Sequence, residues 1–360
     1  MKKRPISNIH RMSLKEKFFK LGVFYRWIPT TFLMNLSGKK IIYPFYHHVV
    51  PREEDRLTNQ IYKTKNEEEF RKDLRYFKKH FKSISFKELL ELRKNEKEGF
   101  YFFLSFDDGL SNFYKIVTTI LMTEEVSAIN FINADFVDNK GLFFRYKINC
   151  LIDHLLTKEL LIEQYEAIEK LLKIKANTVN KLKQELKELK NPDDYLMDQL
   201  CKIAEVDTQK FLETERPYMN MDQIQELIQQ GFEIGAHSNS HPYYSELTLE
   251  EQLKETQESI DFIQKNFHIE ELAFAFPFSD DGVSKEFFKR LQGIITFGTA
   301  GMKDEEVGIN NIQRIPMEHQ SVFSAETIIK GELIFYILKR MLGKHKISRN
   351  GTPQRRGSVG

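Results

Sequence analysis

Apolar residues in this chain fall in short runs separated by stretches of helical spacing, and polar residues gather where the runs end. Lys40 to Val50, with Ile41, Ile42, Tyr43 and Phe45, reads as a buried strand ending at His47-His48. The spacing Phe70, Leu74, Phe77 predicts a helix over 66–80, with Asn66 as its cap and Glu69 closing a capping box. Ser85 to Arg93 predicts a second short helix, Tyr101 to Phe106 a strand, 114–123 a helix and 128–132 a strand. The rhythm resumes with a helix at 221–230, a strand at 232–236, a helix at 248–265, a strand at 272–276, a helix at 283–291 and a strand near 294–299. Short apolar strands alternating with helices predict an α/β fold, and barrels of this kind collect their chemistry at the strands' C-terminal ends.

Residues 141–215 break the pattern: they are rich in Leu, Lys and Glu, carry little strand signal, and predict a helical insertion that caps or flanks the barrel. The expected organisation is an N-terminal helical segment at 1–39, a barrel built from 40–140 and 216–325, a C-terminal helix at 326–342 and a disordered basic tail at 343–360. A formal charge of +2 gives no reason to expect a nucleic-acid partner. The two cysteines, Cys150 and Cys201, are too few and too far apart for a disulfide framework or a CxxC site and read as free thiols. Charged residues interrupt the apolar stretch after Met1-Lys2-Lys3-Arg4, so no signal-peptide pattern forms and a cytoplasmic location is the expectation. The amphipathic stretch from Phe335 to Lys344 offers peripheral contact with a membrane or a biosynthetic complex, against packing as a terminal core helix.

Two clusters carry chemistry. Asp107-Asp108-Gly109 closes an apolar run, and alternation turns the adjacent carboxylates to different sides, so that one can bind a metal while the other handles a proton. His237-Ser238-Asn239-Ser240-His241 presents two imidazoles four residues apart. A carboxylate with two imidazoles suits Zn, Co, Ni or Fe(II) better than Ca or Mg, and three protein ligands leave positions open for water and substrate. Metal-assisted hydrolysis of an amide or ester follows from that set.

These residues also resemble a family. Ser105-Phe106-Asp107-Asp108-Gly109 resembles the first motif of the polysaccharide deacetylases (the NodB-homology group, carbohydrate esterase family 4), and Ile234 to Pro242 resembles their histidine motif. Phe274-Ala275-Phe276-Pro277-Phe278 resembles the groove-lining third motif, and Tyr43 to Val49 the opening strand. The resemblance implies a distorted (β/α)7 barrel and hydrolytic removal of acetyl groups from N-acetylated or O-acetylated sugars of a polysaccharide or glycan intermediate. It implies Asp107 as general base, Asp108, His237 and His241 as ligands of a divalent metal (Zn foremost, with Co, Ni or Fe as alternatives), and a backbone N–H near Phe278 in the oxyanion hole. Phe276, Pro277, Phe278 and His48 are the expected substrate contacts.

The chain departs from the family pattern in the third motif, where no arginine stands in Glu271-Leu272-Ala273-Phe274 and Phe278-Ser279 replace the usual tyrosine and glycine. Arg314 is the candidate to supply the missing charge from a later strand, and His319 the candidate general acid. These gaps support an alternative reading, a deacetylase-like barrel that binds glycan without turnover.

Overall fold

The computed structural model describes residues 14–349 apart from 52–56, 59, 62, 96, 159 and 320–321. Eight short parallel strands form one sheet: β1 (Pro44–Tyr46), β2 (Leu104–Phe106), β3 (Ala128–Ile132), β4 (Glu233–Ala236), β5 (Ala273–Ala275), β6 (Ile295–Gly298), β7 (Asn311–Gln313) and β8 (Ile315–Pro316). Their order is β7-β6-β5-β4-β3-β2-β1-β8. The two edge strands are halves of one chain segment, 311–316, that pairs with β6 through its first half and with β1 through its second. The sheet therefore curls into a nearly closed barrel of seven staves, the last one split at Arg314, as the resemblance implies.

Each stave is buried on both faces, which explains the continuous apolar runs. Phe103, Ile129, Phe131, Ala275, Ile295, Phe297 and Ile312 fill the barrel. Their sequence neighbours Phe102, Leu104, Ala128, Ile132, Ile234 and Phe274 face outward into the layer shared with the helices. Gly235 is dictated by this packing, since a Cβ there would lie 2.5 Å from the Phe131 ring.

The surrounding helices are α1 (Leu14–Phe19), α2 (Gly22–Tyr25), α3 (Thr30–Ser37), α4 (Glu67–His80), α5 (Phe86–Lys94), α6 (Thr118–Thr123), α7 (Phe144–Thr157), α8 (Ile162–Leu172), α9 (Val179–Glu188), α10 (Asp194–Ile203), α11 (Thr208–Glu215), α12 (Met221–Gln229), α13 (Leu249–Phe267), α14 (Lys285–Arg290) and α15 (Ala325–Met341). Reciprocal capping boxes start α4 (Asn66/Glu69), α5 (Ser85/Glu88), α12 (Asn220/Gln223) and α13 (Thr248/Glu251). Helices α7 to α11 interrupt the barrel between β3 and β4 and bury a core of their own, with Ile148, Leu151, Leu182, Leu186, Met197 and Leu200 at its centre. That core continues into Leu110, Phe136 and Tyr218 and abuts Tyr243 and Phe278, so the insertion grips the rim. No described helix is long and apolar enough to cross a membrane.

Residues 343–349 do not form the disordered tail expected from their basic composition. Ile347 N donates to Asp304 O at 2.9 Å, and the buried Arg349 guanidinium pairs with Asp280 and, at 2.5 Å, with Glu305. The acidic partners lie far away in sequence, so composition could not reveal them. Residues 350–360 and 1–13 lie outside the described residues.

Candidate active site

Alternation along β2 turns Phe103 and Ser105 into the barrel and delivers Asp107 to its mouth. The next two residues take left-handed backbone, Asp108 at φ 73° and Gly109 at φ 66°. A non-glycine residue rarely accepts this conformation, and Ser238 (φ 64°), His241 (φ 59°) and Phe278 (φ 56°) share it. Four of the twelve described non-glycine residues with positive φ therefore lie at this mouth, and the other eight lie elsewhere in the chain.

Asp108, His237 and His241 are all buried, with one ligand-capable atom from each lying within 4.8 Å of the others. His237 Nε2 is 3.4 Å and His241 Nε2 3.2 Å from Asp108 Oδ1. Ligand atoms about 2.1 Å from a shared tetrahedral ion sit about 3.4 Å apart, so these separations suit a zinc-like ion. Asp108 Oδ1 and His237 Nε2 have no hydrogen-bond partner although both are buried, a cost that a cation between them removes. The Nδ1–H of His237 donates to Ala275 O at 2.8 Å, which leaves Nε2 free to ligate. His241 is set by its own N–H donating to Ser238 Oγ at 3.0 Å, and Glu255 of α13 clamps the loop by accepting from Asn239 N and Ser240 N. Asn133 staples the same loop by donating to His237 O. The donor set fits a borderline divalent metal.

Arg314 lies beside the other aspartate. Its Nη1 and Nη2 donate to Asp107 Oδ1 and Oδ2 at 2.6 and 2.8 Å, and Nη1 also reaches Ser105 Oγ at 3.1 Å. The guanidinium is fully buried in the barrel mouth, 4.3 Å from the Phe45 ring centroid and 5.3 Å from that of Phe131. Burial alone would raise the Asp107 pKa, but the charge of Arg314 beside it holds the carboxyl below the usual range. Asp108 is held lower still, burial being outweighed by His241 and His237.

The histidines expected at the rim are distributed differently. Alternation at the end of β1 sends Tyr46 outward and His47 toward the aspartates, whose charges act on its ring. His47 Nδ1 bonds Glu318 Oε2 at 2.6 Å, and Glu318 also accepts the backbone N–H groups of His47 and His48. Burial alone would lower the His47 pKa, but the Glu318 hydrogen bond and charge, with the two aspartates, push it up to about 9. His48, the expected substrate contact, is buried with Nε2 3.4 Å from Asn112 Nδ2. His319, the expected acid, packs edge-on against Phe19 and Phe323, 3.9 Å from Glu16. Burial takes its pKa down to about 4. The chain passing Met317 turns Glu318 toward His47, and its neighbour His319 falls among α1 side chains.

The third motif divides in the same manner. Phe276 is buried among Tyr244, Phe274, Phe287 and Phe288, so it serves the helix layer rather than a groove, and Pro277 is also buried. Phe278 is at the site, its ring 4.7 Å from His241 and stacked on Tyr243 at 3.6 Å. The inserted helices complete this wall. Phe143 lies 4.3 Å from the His241 ring, and Arg145 spans Phe144, Tyr243 and Phe278. Tyr146 donates its hydroxyl to Asp108 Oδ2 at 2.6 Å. A cleft of about 690 Å³ runs from His241 between the rim and the insertion, past Phe144, Lys147 and Asp194. Neither Tyr146 nor Phe143 has a motif around it; their signal in sequence is helical periodicity alone.

Residues 196–292 match the family model described as polysaccharide deacetylase, a stretch that contains His237, His241 and Phe278 but ends short of Arg314. No curated protein sequence matches the chain. Among solved structures, the Streptococcus pyogenes deacetylase PplD in complex with acetate is similar at a TM-score of 0.51 and 15% identity, over 82% of this chain and 98% of that one. IcaB from Ammonifex degensii reaches 0.49 at 12% identity over 82% and 98% of the two chains. A de-N-acetylase from Aggregatibacter actinomycetemcomitans reaches 0.48 at 15% identity over 80% and 99%. At such identity the likeness to PplD is one of fold. Taken with the matched stretch and the motifs, it makes this chain a barrel of the polysaccharide deacetylase type, as the resemblance implies.

Proposed function

We propose that this polysaccharide-deacetylase-type barrel is a metal-dependent hydrolase that removes acetyl groups from N-acetylated or O-acetylated sugars of a polysaccharide or glycan intermediate. The observation that carries the reading is the juxtaposition at one rim of a three-ligand cluster, Asp108, His237 and His241, with a second aspartate held by a two-point arginine fork. A divalent cation held by the cluster would acidify a bound water and polarise the acyl carbonyl. Asp107 takes the proton of the attacking water. Arg314 keeps Asp107 ionised and fixes the plane of its carboxylate, so the base is present and aimed at neutral pH. A backbone N–H near Phe278 is the donor that the resemblance implies for the developing oxyanion.

His47 takes the acid role in place of His319. Its Nδ1 is held by Glu318, and its raised pKa keeps the imidazolium protonated at neutral pH as the proton source for the departing amine or alcohol. Phe278, backed by Tyr243, offers an aromatic face to a sugar ring. The alternative of a glycan-binding barrel without turnover drew its support from the absent motif arginine and acid. The Arg314 fork on Asp107 and the protonated His47 support the enzyme over that alternative. The test is acetate release from a panel of acetylated oligosaccharides, with chelation and metal add-back and with Asp107→Asn. Release that depends on metal and is lost in the variant is expected; no release from any metal-replete substrate sinks the proposal.

A further inference from the structure

The helix layer outside β1 and β8 carries an apolar surface that catalysis does not use. Helices α1, α2 and α3 lie across α15: Phe18 meets Phe335 at 6.0 Å, Tyr25 OH donates to Thr327 O at 3.2 Å, and Arg340 Nη1 donates to Ser37 O at 2.8 Å. With their inner faces buried this way, short amphipathic helices ordinarily turn polar residues outward. Here large apolar side chains also stand on the outer side, among the polar ones. Phe24 is 80% exposed, Trp27 78% and Met341 78%, and Phe32, Leu36 and Leu342 are exposed beside them. Phe32 and Leu36 are one helical turn apart on α3, opposite the buried Leu33 and Met34.

Charge identifies what covers this surface. Every exposed charged side chain in 15–40 and 333–349 is basic: Lys17, Lys20, Arg26, Lys40, Arg340, Lys344 and Lys346; the half-exposed Glu326 at the start of α15 is paired with Lys330 beside Arg26. The one acid in these segments, Glu16, is buried beside His319. A second copy of the same face would bring like charges together, whereas an anionic bilayer offers an apolar interior under negative headgroups. We infer that this face docks in the interface of an anionic lipid bilayer. Phe24, Trp27, Phe32 and Leu36 enter the acyl boundary, and the flanking lysines and arginines remain at the headgroups. The inference is independent of the hydrolytic reading.

Trp27 is the chain's single tryptophan, so its emission reports on this face alone. The full chain is mixed with phosphatidylcholine vesicles, with and without phosphatidylglycerol. The expected result is flotation with the anionic vesicles only, a blue shift of Trp27 emission and its quenching by brominated acyl chains. Phe24→Ser keeps the reporter and should bind about tenfold more weakly, as expected for losing one inserted aromatic ring. Arg26→Glu should weaken binding in the anionic vesicles. Unchanged emission with anionic vesicles overturns the inference. So does emission already blue-shifted without lipid in a chain that scatters light as a dimer, because the face is then covered by another copy. Equal binding to both vesicle types removes the electrostatic half and overturns the choice of an anionic surface.

Discussion

The barrel and the inserted helices meet at the same aspartate, from opposite sides and in different ways. The barrel offers groups fixed at strand ends: alternation aims Asp107, His237 and Arg314, and the left-handed turn after β2 brings Asp108 to the same side as Asp107 instead of the opposite one. The insertion offers a wall and one hydrogen bond, Phe143 against His241 and Tyr146 on the outer oxygen of Asp108. On the proposed reading the barrel supplies the chemistry, and the insertion steadies Asp108 through Tyr146. Losses should therefore differ in kind across the two regions.

The largest effects should lie on the barrel side. Asp108→Ala should abolish metal retention, measured by metal analysis after gel filtration, together with acetate release. Asp107→Asn should keep the metal and lower turnover by about 10³-fold, within the range for losing a general base; a residual rate near wild type would remove Asp107 from that role. Arg314→Met strands a buried carboxylate, and chemical denaturation should show a loss of about 3–5 kcal/mol. A stability unchanged by that variant would mean the fork is dispensable.

The His47 pair should shift a profile rather than abolish a rate. An acid must hold its proton, and His47 holds it up to about pH 9, so kcat should fall as pH rises through that value. Glu318→Gln removes the charge that raises the pKa, and the alkaline limb should move to lower pH. A limb that stays in place would point to another acid.

The smallest effect should come from the insertion. Tyr146→Phe should weaken metal binding by about 10-fold, read by chelator competition with Zn or Co, with the fold intact. A metal affinity equal to wild type would mean the insertion is a wall only, and the comparison would sharpen into barrel chemistry against insertion shape.

Sequence made the barrel side legible because its signals are local. Asn66 and Glu69 announce α4 by a capping pair, and Asp107-Asp108 and the two histidines sit at the ends of apolar runs. The misplacements share one cause: at a strand's end, adjacent residues face opposite ways, and identity does not say which faces the site. Read strictly, alternation through Ala273 and Ala275 turns Phe274 and Phe276 outward, and alternation through Phe45 favours His47 over His48. His319 failed for the same reason, one residue past Glu318. Tyr146 was not legible, because its partner is 38 positions away and nothing near it in sequence points there.

The split last stave bears on how the site comes into being. Asp107 is synthesised early and its guanidinium partner 207 residues later, on the segment whose pairing with β1 shuts the ring. Until that segment docks, no incomplete chain holds Asp107 in its two-point fork. On the proposed reading, acetate release would report ring closure itself, and a chain emerging from the ribosome would lack it until its fold is nearly finished.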